Sequence, residues 1–283
     1  MKYFFFLSML FFLTSCPIMT LSYGSVGKIY VVSLGLDYEN MEIPALRGTI
    51  ADSSEFAQCL NDIYESKKID CETYLLVSNS TIKDVNDVLN SINVKKDDLV
   101  VFYYSGHGLV KDEKLNLVLC KNEDVNNYDL LSSEYLLQKF KEYECPCVII
   151  LDCCYSGFSI NQDERSLKDI LLSFISKSDY SNISIITSSK ADQVSYVSSV
   201  FTEEGVGENH SLFSILLLEK LGWVHSEGIV RKLNNISVYG YLNTIPDRLT
   251  TYDLFNQIID DWKSVIQIPV INRTCIPVTL IPY

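Results

Sequence analysis

The 283-residue sequence has few histidines, no excess of positive charge, and neither an internal repeat nor a low-complexity region. It contains only three histidines, His107, His210 and His225, which gives little support to a metal cluster. Acidic residues outnumber basic ones and give a formal net charge of −13. That charge argues against nucleic acid as a partner and is compatible with cationic substrates. Solvated acidic faces that keep the protein soluble are the more common explanation of such a charge.

The one long apolar run at the N-terminus is too short to cross a membrane as a helix. Lys2 precedes an apolar core over residues 3–13, a pattern that is typical of a cleaved export signal. We therefore assign residues 1–22 to targeting and expect one folded domain over residues 26–283.

The end of this signal allows two outcomes. Leu13-Thr14-Ser15-Cys16 resembles the bacterial lipobox, in which the cysteine is lipidated and becomes the new N-terminus. An ordinary signal, cut for instance after Ser22, is the alternative, because small residues also suit a simple cleavage site. The sequence thus predicts an exported protein that is either a membrane-anchored lipoprotein or a secreted or periplasmic protein.

Strand-like and helix-like segments alternate along the rest of the chain. Apolar strand patterns cover residues 28–35, 73–77, 99–104, 147–151, 183–187 and 275–281, with a short extra strand at 116–120. Helical periodicity covers residues 46–64, 81–92, 133–143, 167–175, 211–221 and 252–265. This alternation predicts an α/β fold with a mostly parallel, doubly wound, six-stranded sheet and helices on both faces. Residues 157–167 and 222–248 are the least regular stretches.

Two of the predicted strands end in reactive residues. The apolar run that begins at Val100 ends in Ser105-Gly106-His107-Gly108, and the run that begins at Val148 ends in Asp152-Cys153-Cys154. Chemistry in a parallel α/β sheet collects at the carboxyl ends of the strands, where these side chains would meet. A thiol beside an imidazole is the pair that forms a cysteine nucleophile and its acid/base partner.

These two motifs resemble those of the caspase-like cysteine peptidases (peptidase family C14), most closely those of the metacaspases and bacterial caspase-domain proteins. That family carries Y-S-G-H-G and D-x-C-x-S-G, matched here by residues 104–108 and 152–157. The register identifies Cys154 as the nucleophile and places Cys153 at the variable position. His107 lies about 50 residues upstream of the nucleophile, as the caspase pattern requires.

The resemblance implies a cysteine-type endopeptidase that works through a Cys-His dyad and an acyl-enzyme intermediate. His107 would hold Cys154 ionised and protonate the leaving amine. The backbone N–H groups of Gly108 and Cys154 are the implied oxyanion donors.

The resemblance also implies a first substrate pocket that selects arginine or lysine. Residues 46–52 are similar to the metacaspase segment L-K-G-C-x-N-D, with Thr49 in place of its cysteine. Asp52 and Asp152 would line the pocket with Ser105 and Thr49, because a desolvated cation needs paired carboxylates. A helix N-cap is the structural alternative for Asp52.

The remaining expectations concern cofactors, competing functions and partners. Calcium is the one cofactor candidate, because some metacaspases need it. Acidic residues that could serve a Ca²⁺ ion show no coordination spacing that we recognise; they are Asp112, Glu113, Glu123, Asp124 and Asp163. The competing functions are a legumain-like or gingipain-like peptidase with another pocket preference, and a lipid-anchored binding module without turnover. The expected partners are protein or peptide substrates.

Overall fold

A central β-sheet lies between two layers of helices. The computed structural model describes residues 27–39, 41–112, 114–121, 124–154, 181–188, 197–202, 205–226, 228–262, 269–271 and 277–283. The expected export signal, including Cys16, and the expected helix at 167–175 lie outside the described residues.

The described residues form sixteen strands and five helices, which carry numbers in chain order. The strands are β1 (Ile29–Gly35), β2 (Cys71–Val77), β3 (Leu99–Lys111), β4 (Lys114–Lys121), β5 (Asp124–Ser132), β6 (Cys147–Cys154), β7 (Ile183–Thr187), β8 (Val197–Thr202), β9 (Gly205–Ser211), β10 (Trp223–Val224), β11 (Val230–Leu233), β12 (Ile236–Tyr239), β13 (Tyr241–Leu242), β14 (Leu249–Thr250), β15 (Val270–Ile271) and β16 (Thr279–Ile281). The helices are α1 (Thr49–Ser66), α2 (Ile82–Ser91), α3 (Ser133–Lys141), α4 (Leu212–Lys220) and α5 (Thr251–Asp261).

The main sheet has the strand order β2-β1-β3-β6-β7-β15. The first five of these strands are parallel, and β15 is antiparallel to β7. Because β2 and β3 lie on opposite sides of β1, the carboxyl ends of β1 and β3 frame a topological switch point, where α/β proteins bind ligands. The expected fold class, a mostly parallel α/β sheet, is confirmed.

Alternation along each strand fills two separate cores. On one face, residues such as Val31, Val101 and Ile150 pack against α1, α4 and α5. On the other face, residues such as Val32 and Phe102 pack against α2 and α3. Successive strand residues point to opposite faces, so strands that are apolar throughout must be covered on both sides. Among the described residues, no helix is both long and apolar enough to span a membrane.

Two details of the sheet differ from expectation. The last strand, β16, is shorter than the predicted 275–281 segment and pairs with β14 outside the main sheet, so β15 takes the sixth place. The extra strand at 116–120 is the centre of a longer hairpin, in which β4 pairs with both β3 and β5. β3 therefore continues past the parallel sheet and changes partners along its length.

Candidate active site

The two motif residues occupy partner positions on neighbouring strands. β3 and β6 run in parallel register from Val100 opposite Cys147 to His107 opposite Cys154. The next residue, Gly108, is already paired with Leu117 of the antiparallel β4. His107 therefore stands where β3 passes from one partner to the next, beside the end of β6. The structure describes the strand backbone at Cys154, and the motif residues 155–157 lie outside the described residues.

Two tyrosines hold the backbone of His107. The His107 N–H donates to the Tyr38 hydroxyl at 2.7 Å, and the Tyr104 hydroxyl donates to the His107 carbonyl at 2.6 Å. The two hydroxyl oxygens lie 2.8 Å apart and both reach the Val118 carbonyl. A Cβ atom at Gly106 would overlap both hydroxyls, which explains a glycine at this position of the motif.

The histidine ring has a defined proton arrangement. Its Nε2 lies 2.7 Å from the Pro44 carbonyl oxygen, and a carbonyl can only accept, so Nε2 carries the hydrogen. Nδ1 is then the basic nitrogen of the neutral ring. Burial lowers the pKa of His107, while the Pro44 carbonyl opposes that shift. The imidazole is thus predominantly neutral at pH 7 and able to take a proton from a thiol.

Asp52 lies in the first turn of α1. The helix is capped by Gly48, which adopts a left-handed φ of 94°, so the alternative role of Asp52 as an N-cap is wrong. Its carboxylate is 1% exposed; Oδ1 lies 2.7 Å from His210 Nδ1, and Oδ2 accepts from the Ser105 hydroxyl at 3.2 Å. Burial raises the pKa of Asp52 to about 6, although the contact with His210 lowers it.

Asp152, the second predicted pocket aspartate, lies on β6 near its carboxyl end. It is the register partner of Ser105, and its side chain is 3% exposed. Its Oδ2 accepts hydrogen bonds from the hydroxyls of Ser211 and Ser214, the latter at 2.6 Å. The negative charge of Asp152 contributes to the raised pKa of Asp52, which places the two carboxyls within electrostatic reach of each other.

The other two predicted pocket residues, Ser105 and Thr49, make different contacts. Ser105 donates to Asp52 and is the register partner of Asp152, so it neighbours both aspartates. The Thr49 hydroxyl instead donates to the Leu36 carbonyl at 2.7 Å and ties the start of α1 to the end of β1. Thr49 is only 6% exposed, so little of its side chain is available to a substrate.

A cleft of about 730 Å³ adjoins the loop between β1 and α1. It is lined by Asp37, Glu39, Ala45, Leu46, Arg47, Gly48, Ile50, Ala51, Ile236, Ser237 and Tyr239. The loop that forms one wall also carries the Pro44 carbonyl on which His107 rests.

Several residues that contact His107, Asp52 or Asp152 could not be predicted from the sequence motifs. The Pro44 contact uses a backbone carbonyl, which leaves no side-chain signal. Tyr38, His210, Ser211 and Ser214 lie outside both motifs and reach the site only through the fold. Of these, Tyr38 has a left-handed φ of 60°, a conformation that costs an ordinary residue about 1–2 kcal/mol.

Two of the five calcium candidates, Asp112 and Asp124, belong to the described residues. Asp112 occupies the turn between β3 and β4, and Asp124 starts β5, where it accepts from the Asn127 side chain at 2.9 Å. In the part of the chain that the structure describes, neither belongs to a group of three potential metal ligands. Glu113, Glu123 and Asp163 lie outside the described residues.

Comparisons with known proteins agree with this architecture. The model of the Raptor N-terminal CASPase-like domain matches residues 37–162, which include His107, Cys154, Asp52 and Asp152. No curated protein matches the chain. A crystal structure of a Geobacter sulfurreducens protein, solved as a structural-genomics target, is similar with a TM-score of 0.53 and 15% sequence identity. That likeness covers 86% of this chain and 92% of the other. The parallel sheet and the domain match together establish that the chain has a caspase-like fold.

Proposed function

We propose that this protein is a cysteine endopeptidase that cleaves peptide bonds after arginine or lysine through His107 and Cys154. The observation that carries the proposal is the register of β3 and β6, in which these two residues are partners at the carboxyl end of adjacent parallel strands. A nucleophile and its base must lie within hydrogen-bond reach, and neighbouring strand ends provide that proximity.

The proton arrangement of His107 supports acyl transfer. With Nε2–H held by the Pro44 carbonyl, Nδ1 takes the proton of the Cys154 thiol. The thiolate adds to the scissile carbonyl carbon, the peptide C–N bond breaks, and the imidazolium returns its proton to the leaving amine. Water then adds to the thioester with His107 as the base, which releases the acid product and restores the thiol. The Gly108 and Cys154 N–H groups are proposed to stabilise the oxyanion.

The buried aspartates support a preference for cationic substrate side chains. Asp52 and Asp152 place two carboxyls beside Ser105, and a guanidinium can donate bidentate hydrogen bonds to such a group. His210, Ser211 and Ser214 already donate to these carboxyls. In this proposal a substrate cation therefore replaces at least one of these donors when it enters the pocket.

The test is a set of matched peptides that differ only before the scissile bond, with arginine, lysine, aspartate or asparagine at that position. Each is incubated with the mature protein and with its Cys154→Ala form, with and without calcium. We expect cleavage of the arginine and lysine peptides by the parent and none by Cys154→Ala.

The other outcomes identify the competing functions. Preferred cleavage after asparagine would favour a legumain-like peptidase and remove the acidic-pocket proposal. Absence of turnover on every peptide, with and without calcium, would favour a binding module on a caspase-like fold. Activity only with calcium would make the ion a cofactor of this peptidase.

A further inference from the structure

The two histidines that the dyad does not use both approach one buried glutamate. Glu55 lies on α1 and is 1% exposed. His225 Nδ1 lies 3.0 Å from Glu55 Oε1, and His210 Nε2 lies 3.9 Å from the same oxygen. The two imidazole rings are 5.0 Å apart between centroids and nearly perpendicular. Three groups that can ligate a metal therefore converge from α1, β9 and the residues just after β10.

The spacing of the donor atoms suits a small tetrahedral ion. One donor atom from each of the three residues lies within 4.8 Å of those of the other two. Ligands about 2.0–2.1 Å from a tetrahedral zinc ion are about 3.4 Å apart from one another. The two measured separations, 3.0 and 3.9 Å, lie on either side of that value. The third separation, between the two histidine donors, is at most 4.8 Å, so side-chain rotation is needed to bring all three donors to ligand distance.

The groups behind these donors are those that support metal ligands in proteins. A metal-bound imidazole usually donates its other N–H to a carboxylate. His210 makes this contact, since its Nδ1 lies 2.7 Å from Asp52 Oδ1 while Nε2 faces Glu55. Glu55 is oriented in turn by the Trp223 indole N–H, which donates to Oε2 at 3.0 Å. These contacts leave His210 Nε2 and Glu55 Oε1 directed at the point where the three side chains meet.

Space and unused bonding capacity are also present. A cavity of about 270 Å³ is bordered by the three residues and by the apolar side chains of Ile215 and Leu218. Such a cavity can hold a fourth ligand, for instance water. Within the described residues, the buried Nε2 of His225 has no hydrogen-bond partner, so the ring carries one nitrogen that its contact with Glu55 through Nδ1 does not satisfy.

We propose that Glu55, His210 and His225 bind a divalent transition metal, Zn²⁺ by preference. Two imidazoles and a carboxylate with one open position are a donor set that zinc accepts, and softer or harder ions fit it less well. The ion would join α1 to the segment from β9 to β10, and it would hold His210 against Asp52. This site is separate from the dyad and does not depend on peptidase activity.

The test measures zinc binding by the full chain in the Cys154→Ala form, which removes the catalytic thiol as a competing ligand. The protein is stripped with a chelator and titrated with Zn²⁺ against a chromophoric chelator, and bound metal is counted by mass spectrometry. We expect one zinc per chain and a rise in Tm on binding. Glu55→Gln and His225→Gln should each weaken binding by more than about 100-fold, because they remove a ligand and not only an outer contact.

The controls separate this site from other zinc ligands and from misfolding. Glu65→Gln, an exposed acid on the same helix, should keep the parent affinity. Co²⁺ in place of Zn²⁺ should give a visible spectrum without a thiolate charge-transfer band. Circular dichroism checks folding, and His225→Gln, whose side chain is 11% exposed, decides the matter if Glu55→Gln does not fold. Failure of the Cys154→Ala protein to bind zinc, unchanged affinity in the folded ligand variants, or a thiolate band would overturn the proposal.

Discussion

Asp52 Oδ1 lies 2.7 Å from Nδ1 of His210, and both side chains are almost completely buried. The contact joins the first turn of α1 to the end of β9, 158 residues later in the chain. The pKa of Asp52 is raised from 3.8 to about 6, because burial and then the charge of Asp152 raise it more than the contact with His210 lowers it. A carboxyl of the candidate pocket thus changes its protonation state close to neutral pH.

This raised pKa predicts a signed effect on stability. Between pH 3.8 and about 6 the folded chain holds more protons on Asp52 than the unfolded chain, so this group stabilises the fold at low pH and loses that effect as pH rises through 6. From pH 5 to pH 7 we expect the parent to lose about 1 kcal/mol relative to Asp52→Asn. Urea unfolding of both proteins across this range measures the difference. The exposed Glu65→Gln should follow the parent, and a parent that gains stability relative to Asp52→Asn would contradict the sign.

The strand register predicts different roles for the two adjacent cysteines. Only Cys154 is paired with His107, whereas Cys153 is 1% exposed and belongs to the apolar core. We expect Cys154→Ala to abolish cleavage of arginine peptides at unchanged Tm. Cys153→Ala should keep most of kcat/KM and lose about 1 kcal/mol of stability from the removed core volume. Equal losses of activity in two folded variants would show that the assigned register of the nucleophile is wrong.

The hydroxyl of Tyr38 should matter for both stability and turnover. Tyr38→Phe leaves the buried His107 N–H without its acceptor, at a cost of about 1–3 kcal/mol. We expect a matching fall in Tm and a reduced kcat, because the imidazole is less firmly placed. Tyr30→Phe is the matched control, since its hydroxyl donates to the Asn93 carbonyl at 3.1 Å, away from the motifs. Equal kcat in Tyr38→Phe and the parent would show that these tyrosine hydrogen bonds do not contribute to catalysis.

Asp152 should set the preference for a charged substrate side chain. Asp152→Asn keeps the shape of the side chain and removes its charge. We expect kcat/KM on an arginine peptide to fall by a factor that corresponds to a loss of about 2–5 kcal/mol of transition-state stabilisation. A peptide with uncharged citrulline in place of arginine should be cleaved as poorly by the variant as by the parent. The exposed Asp97→Asn serves as a control, and equal loss on both peptides would indicate a folding or positioning defect instead of lost charge recognition.

Processing at Cys16 is a prediction from the sequence alone. If the lipobox match is correct, expression in a bacterial host yields a mature protein that begins with a lipid-modified Cys16 and fractionates with membranes. Cys16→Ser should release unlipidated protein. A mature N-terminus downstream of Cys16, found by mass spectrometry in the parent, would identify an ordinary signal and a secreted or periplasmic protein.

The apolar strands and their reactive ends could be predicted because each signal is local. The runs before His107 and Cys154 contain β-branched and aromatic residues over consecutive positions, and burial on both faces requires that composition. The β5 strand had no such signal, because Asp124, Asn126, Asn127 and Asp129 give it a polar sequence that resembles a loop. Its pairing with β4 supplies the order that its composition does not indicate.

The contacts across the chain could not be predicted for a different reason. The approach of His225 to Glu55 spans 170 residues, and no spacing rule connects positions so far apart. The sequence therefore appeared to have too few histidines for a metal site, although two of the three are brought together by β9 and β10. A low count of a residue type limits the number of sites, but it does not say where the few copies meet.

The change of partner along β3 has a consequence for how the chain tolerates insertions and deletions. One added residue between Leu99 and His107 would shift the histidine against Cys154 and turn each following side chain to the opposite face. The same change beyond Lys111 would lengthen only the turn into β4. A library of single-residue insertions should therefore give inactive, destabilised chains up to His107 and folded, active chains at the tip of the β3–β4 hairpin, beyond Lys111.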